Sequence, residues 1–198
     1  MIKGQIYVIS GPSGVGKSTV VKNVIEKGNS IVLSVSATTR KIRDGEKDGI
    51  NYYFKSTDEF EKMIENNEFM EWAKFCENYY GTPKNAVFSN IDNGLDVILE
   101  IETQGAMKIK ENFPETKFIF IAPPSLNELE SRLRSRGTET EDVVLKRLSE
   151  AKRELSLMKE YDYIVTNNTV ETVTNDILTI MNAERLKTSR RTDDINLI

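Results

Sequence analysis

Gly11-Pro12-Ser13-Gly14-Val15-Gly16-Lys17-Ser18 is the stretch around which the rest of this 198-residue chain arranges itself. An apolar run at residues 6–9 precedes it, and a helix-forming stretch, 19 to about 27, follows. Strand, glycine-rich loop and helix in that order are the setting in which such a loop cradles phosphate. Its glycines let consecutive backbone N–H groups turn toward one anion, Lys17 adds a point charge, and the Ser18 hydroxyl is a candidate Mg²⁺ ligand. The helix that follows adds the positive end of its dipole.

Working outward, short apolar runs recur at 31–35, 97–101, 118–121 and 163–165, separated by helical patterns. This is the signature of an α/β protein with a mainly parallel, doubly wound sheet. Ser56 with Glu59, Ser125 with Glu128 and Thr138 with Glu141 have capping-box spacing and mark expected helix starts. Two stretches break the rhythm. Residues 36–90 hold a charged, glycine-punctuated loop, short aromatic-rich strands and one helix near 58–65, and read as a small inserted α/β lobe. Residues 125–154 are helical and carry Arg132, Arg134, Arg136, Arg147 and Arg153, as a mobile flap would. Residues 188–198 are polar without helical periodicity, which predicts a frayed or surface-bound tail.

Composition narrows the chemistry. The net charge of −4 gives no global field toward nucleic acid or anionic lipid, so a small anionic ligand is expected. With no histidine in the chain, carboxylates, Lys, Arg, hydroxyls and Mg²⁺ are left to carry any reaction, an inventory that suits phosphoryl transfer. The one cysteine, Cys76, fits a reducing compartment and reads as a small packing residue. No segment approaches 18 consecutive apolar residues, and a cytoplasmic protein is expected.

Other residues invite a chemical reading. Arg40 and Arg43, with Tyr52 and Tyr80 as neutral donors, would grip a monophosphate, or else form an exposed charged hairpin with the tyrosines in a core. In the alternating stretch 69–75, Glu71 shares a face with Phe69, Ala73 and Phe75. A carboxylate on an apolar side needs a partner, and guanine supplies two adjacent N–H donors where adenine does not; an edge-strand glutamate paired with water or lysine is the alternative. Glu100 and Glu102, ending the run at 97–101, stand where a P-loop protein places the acid that orders metal-bound water.

Taken together, the loop, Ser34-Val35-Ser36-Ala37-Thr38-Thr39-Arg40, Gly45-Glu46, Asp48-Gly49, Glu71-Trp72-Ala73, Asn78-Tyr79-Tyr80-Gly81-Thr82, Ile119-Phe120-Ile121-Ala122-Pro123-Pro124-Ser125 and Arg136-Gly137-Thr138-Glu139 resemble guanylate kinase over nearly the whole chain. The resemblance implies a P-loop NTPase-type parallel sheet core, an inserted small α/β acceptor-binding lobe and a helical lid. As one domain over 1–198, it implies core residues 1–35, 91–124 and 155–187, a GMP-binding lobe of 36–90, a lid of 125–154 and a tail of 188–198. The implied reaction is ATP + GMP giving ADP + GDP, with Mg²⁺ as cofactor and no nucleic acid, membrane or protein partner.

By the same resemblance, Gly11, Pro12, Ser13, Gly14, Val15, Gly16, Lys17, Ser18 and Thr19 bind ATP, with Asn168 at the adenine end. Asn168 stands where the family commonly has Asp. Ser36, Arg40, Arg43, Tyr52, Glu71, Tyr80 and Thr82 bind GMP, joined by Glu100 and Glu102, where the family often has Asp. Lys17, Arg136 and Arg147 are the implied catalytic residues, while Arg132, Arg134 and Arg153 read as surface charges. A guanylate-kinase-like scaffold module would typically lack the intact loop, and a GTPase switch would need an Asn-Lys-x-Asp run, which is absent. A kinase for another acceptor is the remaining chemical alternative.

Overall fold

A computed structural model describes residues 3–75, 77–135 and 140–191. Along the chain these form β1 (Ile6–Ser10), α1 (Lys17–Lys27), β2 (Ile31–Leu33), β3 (Ala37–Thr38), β4 (Tyr53–Phe54), α2 (Thr57–Glu65), β5 (Phe69–Phe75), β6 (Asn78–Pro83) and α3 (Lys84–Asp92). They continue as β7 (Asp96–Glu100), α4 (Thr103–Asn112), β8 (Lys117–Ala122), α5 (Leu126–Ser135), α6 (Glu141–Ser156), β9 (Tyr163–Thr166), α7 (Val170–Arg185) and α8 (Thr188–Arg191).

Five parallel strands in the order β2-β7-β1-β8-β9 make the main sheet, as the apolar runs predict. Their uninterrupted apolarity follows from burial on both faces. On β1, Tyr7 and Ile9 pack with Val20 and Val24 of α1 and Val173 and Ile177 of α7. Ile6 and Val8 point the other way, to Val87 of α3 and Ala106 and Ile109 of α4. β1 is therefore central, and its C-terminal end delivers the glycine-rich loop between β7 and β8, where parallel sheets bind ligands.

The interrupting segment forms its own four-stranded sheet, β4-β3-β6-β5, in which β3 and β4 are parallel and the other pairs antiparallel. Phe60 of α2 stacks on Phe69 and Tyr79 at 4.4 and 5.2 Å and closes a small core over Ala37. α5 and α6 pack together through Leu129, Leu133, Val144 and Ala151.

Local signals fare unevenly. Ser56 and Glu59 make the full reciprocal capping box on α2, and the Ser125 hydroxyl accepts the Glu128 N–H at 3.1 Å. Thr138 lies outside the described residues, and α6 starts at Glu141 behind Thr140, whose side chain makes no capping bond. The Glu141 carboxylate is instead taken up by Arg134 of α5. The run at 31–35 is a strand only over Ile31–Leu33. α1 begins at Lys17 rather than 19, which places the loop lysine itself in the first helical turn. The tail begins docked: Arg190 of α8 donates to the Lys3 carbonyl at 2.6 Å, and residues 192–198 lie outside the described residues. No described helix is long and apolar enough to cross a membrane.

Candidate active site

At the end of β1 the chain turns through Gly11 to Gly16, whose positive φ of 94° suits glycine and places its N–H groups at the start of α1. The Lys17 ammonium folds back onto the Gly11 and Pro12 carbonyls. Burial lowers its pKa from the ordinary lysine value, opposed by the carboxylates of Glu154, Glu100 and Glu102. The next hydroxyl, Ser18 Oγ, donates to Glu100 Oε1 at 2.6 Å, so a hydroxyl and a carboxylate converge beside the loop.

One cavity of about 360 Å³ reaches from this loop to the second sheet. Lys17, Glu100 and Glu102 line it together with Ser36, Tyr52, Glu71 and Tyr80. Alternation along β5 is broken, because between the Phe69–Pro83 and Trp72–Gly81 pairs Met70 and Glu71 stand opposite Thr82 alone. This bulge buries Phe69, Met70 and Glu71 in succession and turns Glu71 away from the aromatic core that holds Phe69. Glu71 is 9% exposed and accepts the Thr82 hydroxyl at 2.9 Å through Oε1. Burial raises its pKa, offset by the Thr82 hydrogen bond and the charge of Lys108. α4 passes so close that a Cβ on Gly105 would stand 2.9 Å from Glu71 Oε2.

Arg40 and Arg43 do not line this cavity. The Arg40 guanidinium is held by both oxygens of Glu46 at 3.0 and 2.8 Å and lies 5.4 Å over the Tyr52 ring, while the Arg43 N–H donates to Glu46 at 2.8 Å. Arg40 is not part of an exposed hairpin but a cation pinned by Glu46 beside Tyr52, and Tyr52 and Tyr80 meet edge-on at 6.1 Å.

A second groove runs along the other side of the loop, bounded by Gly14, Val15, Gly16, Thr19 and Asn168. Arg132, expected on the surface, also lines it and donates to the Asn167 carbonyl at 3.1 Å. Asn167, unremarked in the sequence, is buried and donates to the Val15 carbonyl at 2.7 Å. Arg134 is exposed and paired with Glu130 and Glu141, as a surface charge should be. Arg147 is half-buried on α6; Arg136, Gly137, Thr138, Glu139 and Cys76 lie outside the described residues.

A second omission of the sequence reading is Glu154, on α6 like Arg147. Its buried carboxylate faces the Ser13 N–H and the Lys17 charge, and burial raises its pKa. No periodic or capping signal marks it. An acid in the last turn of an arginine-rich helix looks like an ordinary solvated charge until the helix is docked on the loop.

A family model described as guanylate kinase matches residues 3–184. The chain is 54% identical over 188 residues to the guanylate kinase of Halalkalibacterium halodurans, covering 95% of this chain and 92% of that protein. To the guanylate kinase of Clostridioides difficile it is 51% identical over 188 residues, with 95% and 92% covered. The crystal structure of guanylate kinase from Anaplasma phagocytophilum superposes with a TM-score of 0.75 at 37% identity, covering 95% of this chain and 89% of that one. With its parallel P-loop sheet, its second sheet and these relatives, the chain belongs to the guanylate kinase family, the kinases that phosphorylate GMP with ATP.

Proposed function

We propose that this chain performs the family reaction by holding ATP in the groove and loop and GMP in the cavity, so that the two meet at Lys17. One observation carries this reading: Lys17 and Glu71, a phosphate-binding cation and a buried carboxylate, line the same cavity. Such a cavity admits a nucleoside monophosphate with its base at Glu71 and its phosphate toward the loop.

In this reading Gly11, Pro12, Ser13, Gly14, Val15, Gly16, Ser18 and Thr19 hold the ATP phosphates, and Asn168 borders the adenine end. Glu71 accepts the guanine N1–H and N2–H groups, with Ser36 and Thr82 supporting the base. Arg40, Arg43, Tyr52 and Tyr80 hold the GMP phosphate, with Arg40 kept in place by Glu46. A GMP phosphate oxygen attacks the γ-phosphorus of ATP, a new P–O bond forms, and the bond to the β-phosphate oxygen breaks, releasing ADP. Lys17 and Arg147, with Arg136 beyond the described residues, neutralise charge that grows on the transferring group.

The donors at the loop fit Mg²⁺, being hard oxygens from Ser18 and Glu100. Among the described residues there is no cluster of three or more His, Cys, Asp or Glu, so phosphate oxygens and water would complete its shell. Mg²⁺, when bound, supplies charge neutralisation at the β- and γ-phosphates. Glu102 lines the cavity near Lys17 and contributes negative potential there. The test is transfer of label from γ-labelled ATP: the label should appear in GDP, only with Mg²⁺ present, and not with Lys17→Ala. Label released as free phosphate without GDP would overturn the assignment.

A further inference from the structure

The bulge that aims Glu71 is gripped by α4. α4 lies across β5, and two of its residues, one helical turn apart, meet the segment around Glu71. Gly105 makes room for the carboxylate, since a Cβ there would stand 2.9 Å from Oε2. Lys108 donates to the carbonyl of Trp72, the residue that follows Glu71, at 2.7 Å, and its ammonium lies 5.4 Å from the centre of the Trp72 ring. Lys108, Trp72 and Glu71 share the wall of a second, smaller cavity of about 200 Å³. A bulge has lost a regular ladder partner, so a side chain that fixes the adjacent peptide also fixes where the bulged side chain points. The nearby charge also opposes the rise in Glu71 pKa that burial causes.

We propose that Lys108 is a positioning residue for acceptor selection: by holding the Trp72 carbonyl, it fixes the bulge that presents Glu71 to the base. This rests on Glu71 being the base-reading group. The other ionisable groups around the cavity are Lys17 on α1, Lys74 on β5, Tyr52, Tyr80 on β6, Glu100 at the end of β7 and Glu102 just past it. Lys108 does not line this cavity and meets the segment around Glu71 through the Trp72 carbonyl, so its removal perturbs Glu71 and leaves these groups in place.

The test compares kcat/KM for GMP and IMP, across pH, in the unmodified enzyme, Lys108→Met, Lys108→Arg, Glu71→Gln and the Glu71→Gln/Lys108→Met double variant. Lys108→Met keeps the length of the stem and removes donors and charge. It should lower the GMP-to-IMP ratio about 3- to 10-fold, through KM, as contacting residues typically couple. The acid limb of KM for GMP should move to higher pH, and Lys108→Arg should keep both properties. In the Glu71→Gln background, Lys108→Met should change the ratio no further.

An unchanged ratio and acid limb in Lys108→Met would overturn the proposal. So would an equal loss on both acceptors, or a loss that persists undiminished beside Glu71→Gln. If Glu71→Gln alone leaves the ratio intact, the base-reading assignment itself fails and Lys108 falls with it. If Glu71→Gln lowers the ratio and Lys108→Met does not, only the role of Lys108 is lost.

Discussion

Replacing Glu71 by Gln should make this protein a poorer enzyme and a more stable one. The side chain is 9% exposed, one oxygen is already committed to Thr82, and burial disfavours its charged form. Glutamine keeps the volume and an acceptor for Thr82, but turns an N–H toward guanine where an oxygen is needed. By analogy with bidentate base readout, about 1–3 kcal/mol of discrimination is lost, so kcat/KM for GMP should fall roughly 5- to 150-fold. IMP keeps N1–H but lacks the 2-amino group, so it should start as a poor acceptor and lose less. AMP should change least.

The free protein should respond in the opposite direction. A carboxylate whose folded pKa is raised weakens the fold as pH rises above its unfolded pKa, fully so beyond the folded one, because the unfolded chain ionises it more easily. Glu71→Gln removes that cost, so its melting temperature should exceed that of the unmodified protein at pH 7. The gain should vanish below about pH 4, where the unfolded glutamate is protonated too. Steady-state kinetics on GMP, IMP and AMP, with melting curves from pH 4 to 8, measure both effects. An equal proportional loss on all three acceptors, or a lower melting temperature at neutral pH, would refute the argument that Glu71 is a buried charge kept for base recognition.

Other substitutions separate the remaining roles. Lys17→Ala should abolish transfer while leaving the chain folded, since the ammonium's hydrogen bonds among the described residues go to its own loop carbonyls; near-normal turnover would contradict the loop assignment. Arg147→Ala should lower kcat far more than it raises KM for GMP, as expected of charge neutralisation in the transition state, and a change confined to KM would exclude that role. Glu46→Ala should raise KM for GMP with little change in kcat by releasing Arg40, and Arg40→Lys should not substitute, because lysine lacks the two-pronged geometry. Asn167→Ala leaves the buried Val15 carbonyl without its donor, at a cost of about 1–3 kcal/mol; calorimetry should show a melting temperature several degrees lower, and KM for ATP should rise.

Features written in adjacent residues were legible in the sequence. The apolar runs became the parallel strands because burial on both faces removes any need for polar alternation, and the loop's glycines sit where its turn requires them. Ser56 and Glu59 cap α2 because both partners lie within one turn. What stayed hidden depends on contacts made by the folded chain. Asn167 reaches Val15 across 152 residues, so nothing near either residue reveals the bond. The bulge at Met70 and Glu71 is a mismatch between two strands and cannot be read from β5 alone. Arg40 was recognised as a cation, but its capture by Glu46 depends on how the intervening loop closes. Arg132 looked like one more charge in an arginine-rich helix until α5 was seen beside the Asn167 carbonyl.

The most direct measurement is turnover of the purified protein with ATP and Mg²⁺ on a panel of acceptors, GMP, IMP, AMP, CMP and UMP at equal concentration, with both nucleotide products quantified. The account predicts ADP and GDP in equal amounts, with GMP used at least about fivefold better than any other acceptor, as base discrimination of about 1–3 kcal/mol or more implies. AMP phosphorylated as well as GMP, or ADP formed without a matching diphosphate product, would contradict it.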